Sequence, residues 1–175
     1  MYHRLRALHR WAGLLASLFL LVISSTGFLL ATKGSLGWVR PPTQQGTPVE
    51  GIEELVSLAI AAEAAFALGL PGLQTVDDID RMDYRPGDNI LKVVSKRNYH
   101  EVQVDMATGK VVQVAKRVDQ LAEDIHDLSY FADSLHAYVL PVVALFLFFL
   151  GATGIVIFFV PIARRLRYRR QSRAR

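Results

Sequence analysis

The chain has 175 residues, 51% of them hydrophobic, with 20 Lys and Arg against 16 Asp and Glu for a formal net charge of +4. It has no cysteine, which excludes disulfides, thiolate metal sites and iron–sulfur clusters, so any metal must be held by His, Met or carboxylate. Walker loops, HExxH, GxSxG and glycine-rich dinucleotide turns are also missing, and with them the commonest phosphate-binding and hydrolytic machinery.

Residues 1–10 form a basic arm with Arg4, Arg6 and Arg10. The run Trp11–Ala31 carries no charge and is long enough for a helix to cross the hydrocarbon layer, so 11–32 is predicted as a transmembrane helix. It exceeds the apolar core of a signal peptide, which favours an uncleaved anchor. Residues 33–50 are dense in Gly, Pro and polar side chains and read as a linker, with Trp38 as an aromatic anchor at the interface. From residue 51 onward Ile52, Leu55, Leu58/Ala59, Ala62 and Phe66 recur at helical spacing, predicting one amphipathic helix that stops at Gly69 and Pro71.

Between 79 and 117 the pattern becomes valine-rich and is broken by turn signals at Pro86–Asn89, Arg97–Asn98 and Met106–Lys110, which predicts a small antiparallel meander packed on that helix. The acidic run Asp77–Asp80 lacks the alternating ligands of a calcium loop and reads as solvated. Residues 119–138 are a helical approach to the second uncharged run, Val139–Val160, predicted as transmembrane helix 139–160. Pro141, without an N–H, either loosens the turn before it or marks the first turn of a new helix. The tail 161–175 is rich in arginine and has no acid.

Arginine flanks both spans on their terminal sides, whereas every acidic residue lies between them, so both termini are expected inside and the central segment in the opposite compartment. Beside a span, the tail reads as an orientation signal and a contact for anionic lipid rather than a nucleic-acid site.

The stretch from Val104 through Asp105, Thr108, Gly109, Val111 and Val112 resembles the PepSY domain, whose mark is a strand, an Asp, and a Thr-Gly turn into the next strand. The flanking pieces, with His9-Arg10-Trp11 in the first and Leu135-His136 and a later Thr153-Gly154 in the second, look like the spans of PepSY-associated transmembrane proteins. This resemblance implies a small two-span membrane α+β protein: two transmembrane helices around one PepSY-like domain, residues 51–118. It further implies a bacterial inner-membrane location with the domain periplasmic. Four-span members include ferrisiderophore reductases that hold b-type haem between helices through histidines; this chain has two spans.

On that footing the histidines are the candidate haem ligands. His9 heads a small-residue stripe that includes Gly13, and His136 heads another with Gly151 and Gly154. Asp133 is placed to orient the His136 ring. His126 lies ten residues before His136, too far along a continuous helix for the two to grip one iron. Each of the three also reads as a plain interfacial or solvated residue, and His3 and His100 read as surface residues. Because His9 and His136 sit at opposite ends of their spans, one chain cannot bring both to one haem, and a partner must complete each pair: His9 with a second His9, His136 with a second His136 or His126. The expected assembly is a homodimer or a larger membrane complex in the lipid bilayer carrying electrons through haem b, linked to ferric-chelate reduction. The competing expectation is a haem-free accessory subunit whose PepSY domain binds a partner or restrains a protease.

Overall fold

The computed structural model describes residues 2–132 and 134–173, without the Arg173 side chain, and the chain divides into two compact units. One unit joins the chain's two ends, up to Gly27 and from Asp124 onward; the other is Phe28–Glu123.

The first unit is built on α1 (Tyr2–Thr32) and the helix whose regular part is α4 (Leu140–Arg173). Both are long and apolar enough to cross a membrane. Apolar side chains such as Leu14, Leu18, Leu21, Phe148 and Phe158 stand exposed along them, the arrangement a lipid solvent requires. The helices run antiparallel: the Tyr2 hydroxyl donates to the Ile157 carbonyl (3.0 Å) at one end, and Thr26 meets His126 at the other. A single wide π turn, Leu135–Val139, precedes α4, with the Leu140 N–H reaching back to the Leu135 carbonyl. Pro141 follows one residue beyond it, where a residue without an N–H leaves an upstream carbonyl free to adopt the wider spacing.

The second unit holds the meander: β1 (Ile79–Arg85), β2 (Ile90–Ser95), β3 (His100–Asp105) and β4 (Val111–Lys116), antiparallel and in chain order. Its turns fall where Asn and Gly accept a left-handed backbone, at Asn89, Asn98 and Gly109. The Asp105-to-Gly109 turn is organised by one carboxylate. Asp105 accepts from the Ala107 N–H (2.9 Å), the Thr108 hydroxyl (3.0 Å) and the Thr47 hydroxyl (2.7 Å), while the Gly109 N–H closes onto the Asp105 carbonyl. Burial alone raises the Asp105 pKa, but these donors outweigh it and hold the carboxyl below its ordinary value.

Helix α2 (Leu58–Phe66) packs Ala61 and Ala65 against Leu91, Val93, Val102 and Val104 to form the core. The predicted single helix from Ile52 is therefore shorter than expected. Ile52–Glu54 is an isolated 3-10 turn with Ile52 84% exposed, and the Val56 N–H is taken by the Met106 carbonyl (2.8 Å). The helix restarts only where Ser57 caps it, its hydroxyl accepting from the Ile60 N–H.

The other face of β2 and β3 is charged yet buried. Lys92 and Glu101, 3% and 1% exposed, pair at 3.2 Å, and Arg117 bridges Glu101 to Asp119, its Nη2 2.6 Å from the carboxylate. The segment from Val39 to Thr47 covers this face: Gln103 bonds both the Gln44 N–H and the Pro42 carbonyl, and the Asp119 N–H, at the start of α3 (Val118–His126), donates to the Val39 carbonyl at 2.9 Å. His100, expected on the surface, is buried; burial and the Lys116 ammonium push its pKa down, outweighing a hydrogen bond to the Pro71 backbone that raises it.

Candidate functional site

Within the membrane unit the histidines are bound by neighbours that share one chemistry. The His9 Nδ1 lies 2.8 Å from the Thr153 hydroxyl, across from α1 to α4. That hydroxyl spends its own proton on the Leu150 carbonyl at 3.0 Å, so it accepts from His9, and Nδ1 carries the hydrogen. Next to Thr153, Gly154 makes room for the ring: a methyl there would stand 3.3 Å from the His9 Cε1.

The second contact repeats the first with α1 now supplying the hydroxyl. His126, at the end of α3, places Nδ1 2.9 Å from the Thr26 hydroxyl of α1, and Thr26 donates to the Val22 carbonyl at 2.8 Å. The adjacent Gly27 again lies under the ring, its missing methyl 3.6 Å from Cε1. A Thr-Gly pair on each span thus holds a histidine from the other arm of the unit. In both cases Nε2 has no hydrogen-bond partner among the described residues.

His136, in the π turn, is half-exposed and turns Nδ1 toward its own loop: the Asp127 carbonyl at 3.1 Å and the Asp127 carboxylate at 3.4 Å. Burial raises the Asp127 pKa, but the Ser129 hydroxyl and N–H, with the two nearby histidines, lower it further, so the carboxylate stays ionised beside His136. Asp133, the expected orienting residue, lies outside the described residues. Gly154 meets His9 rather than His136, and around Gly13 and Gly151 there is open space. His126 and His136 do not share a helix, since α3 ends at His126 and the chain turns through Leu128 at φ 69°.

An open cleft of about 350 Å³ lies beside His9, bounded by His3, Arg6, Ala7, Arg10 and Ile157. No group of three or more metal-binding side chains exists among the described residues. Thr26 escaped the sequence reading and Thr153 entered it only as part of the family resemblance, not as a partner of His9, although the Thr-Gly dipeptide in each span was the visible trace.

A family model described as the PepSY-associated TM region matches residues 6–175, essentially the whole chain. The chain belongs to the PepSY-associated TM family. Among curated proteins no match is found. Membership in the PepSY-associated TM family agrees with the two candidate spans around the four-stranded domain and makes this a membrane protein.

The donor set of this PepSY-associated TM protein fits a haem in one respect. An axial histidine needs its Nδ1–H held by an acceptor and its Nε2 free, which is the state of both His9 and His126. Their anchoring positions on α1, residues 9 and 26, are roughly 25 Å apart along the helix. The two rings therefore cannot meet at one iron within one chain.

Proposed function

We propose that the chain is a membrane haem b-binding electron-transfer protein, working as a homodimer or as a subunit of a larger complex, with its central domain in the periplasm and a link to ferric-chelate reduction. The reciprocal Thr-Gly clasps carry this reading, because they orient two imidazoles and leave the coordinating nitrogen of each unspent. When bound, the group would supply one-electron carriage across the bilayer. The protein's part is to hold the rings: Thr153 and Thr26 fix the tautomer, and Gly154 and Gly27 let each ring lie close to the opposing helix. Arg6 and Arg10 at the His9 cleft supply positive charge suited to propionates. A partner chain brings the second imidazole to each level.

The haem-free accessory reading has one observation in its favour: a His–Thr bond between helices is itself a sufficient reason for a polar residue in a span. A reduced-minus-oxidised spectrum of the full-length protein, purified after expression with ample haem, separates the two. Sharp b-type bands that disappear in His9→Ala and weaken in His126→Ala are expected. A colourless protein overturns the proposal and leaves the accessory reading.

A further inference from the structure

At the arginine end of the helical pair a second groove, about 500 Å³, is bounded by Tyr2, Arg4, Leu5, Leu8 and, from α4, Val156, Val160 and Arg164. Its α4 wall follows one stripe at four-residue spacing, two valines and then an arginine, and its α1 wall places Leu5 and Leu8 beside Arg4. The groove is thus apolar along its length and cationic at its mouth.

Two further observations bear on what fills it. The Tyr2 ring holds both the Arg164 and Arg6 guanidinium groups, at 5.2 and 5.9 Å from its centre, while its hydroxyl is tied to the Ile157 carbonyl. Of the two arginines that line the groove, Arg164 is therefore held in place by the Tyr2 ring, which Arg6, outside the lining, also meets. The chain itself offers no counter-charge, for every acidic residue lies between Glu50 and Asp133, none in the basic arm or after Val139. Arginines gathered so closely call for an external anion, and the apolar walls behind them call for hydrocarbon attached to it.

We propose that this groove is a specific site for an anionic phospholipid, with the phosphate on Arg4 and Arg164 and an acyl chain along Leu5, Leu8, Val156 and Val160. Basic pockets between transmembrane helices bind such headgroups, and each arginine near the surface adds about 1 kcal/mol, roughly a fivefold gain in affinity. None of the groove's lining residues borders the His9 cleft, so the site does not rest on haem binding.

Native mass spectrometry of the detergent-solubilised full-length protein, titrated with phosphatidylglycerol or phosphatidylcholine, tests it. A retained phosphatidylglycerol adduct is expected where phosphatidylcholine leaves none. The double variant Arg4→Gln/Arg164→Gln should weaken it roughly thirtyfold, and Arg167→Gln/Arg170→Gln, outside the groove, should leave it intact. Val160→Trp, which fills the groove while keeping every charge, should displace the lipid, with helix content checked by circular dichroism. Equal retention of the two lipids, equal loss in both arginine pairs, or displacement by inorganic phosphate would overturn the proposal.

Discussion

His9 is held by a hydroxyl that has no other acceptor role to play. Replacing Thr153 with Val keeps the shape of the side chain but leaves the His9 Nδ1–H without a partner, a loss of about 1–3 kcal/mol for a desolvated donor. If His9 is an axial ligand, Thr153→Val should retain the b-type bands but raise the midpoint potential, because an imidazole that no longer shares its proton is a poorer electron donor. Thr153→Ser should restore the wild-type potential in a redox titration; unchanged potentials in both would mean that Thr153 does not orient a ligand. Gly154→Val is more severe: the first added carbon would already press on the ring at 3.3 Å, so the bands themselves should be lost while helix content is kept. These roles were hard to read from the chain alone. A stripe of small residues on the histidine's own helix is visible by period, whereas the partner of His9 stands on another helix 144 residues away, and only the recurrence of Thr-Gly hinted at it.

Among the elements, β2 and β3 carry the contrast between what is legible and what is not. Their turns were foreseeable because Asn and Gly tolerate left-handed backbone, and their valines alternate toward α2. That the opposite face would also be buried was not, since Lys92, Glu101 and Gln103 are residues that ordinarily face water. The cover comes from residues 39–47, whose composition announces only a linker. Likewise the start of α2 depended on Val56 being captured by Met106, a contact between segments that helical period cannot register.

Removing Asp119, which sits fully buried against Arg117, should cost about 1–3 kcal/mol, because the buried guanidinium loses its two hydrogen bonds and keeps only the longer ion pair with Glu101. Faster hydrogen exchange of the β2 and β3 amides in Asp119→Ala checks this. Burial raises the Asp119 pKa, but the Arg117 hydrogen bonds and charge, with Arg40, lower it more, so its folded-state value is depressed. Its contribution is thus complete above the ordinary carboxylate value near about 4 and is lost as the pH falls through the lower folded-state value. Acid titration should therefore loosen these strands below about pH 4, and Asp119→Asn should flatten that response.

At the scale of the molecule, the apolar surface stands exposed along both spans, and the proposed haem ligation, with one imidazole at each of two levels, calls for a second two-helix unit to complete a four-helix arrangement. The lack of native cysteine gives a clean test, since a single introduced thiol has no competitor. Ala7→Cys, in the cleft beside His9, should form disulfide-linked dimers in native membranes under mild oxidation if two His9 residues face one another. Monomer alone in a protein that still shows b-type bands would point to a different polypeptide as the partner.

The bond between the Asp119 N–H and the Val39 carbonyl, reinforced by Arg40 at 3.9 Å from the Asp119 carboxylate, fastens the two strands of chain that lead into and out of the sheet. The domain's entry and exit are accordingly pinned side by side within the domain itself. Cutting the chain between residues 40 and 118 and bridging the stumps with a short turn should still leave a helical hairpin able to insert, and alkaline extraction of membranes that carry the shortened chain checks this.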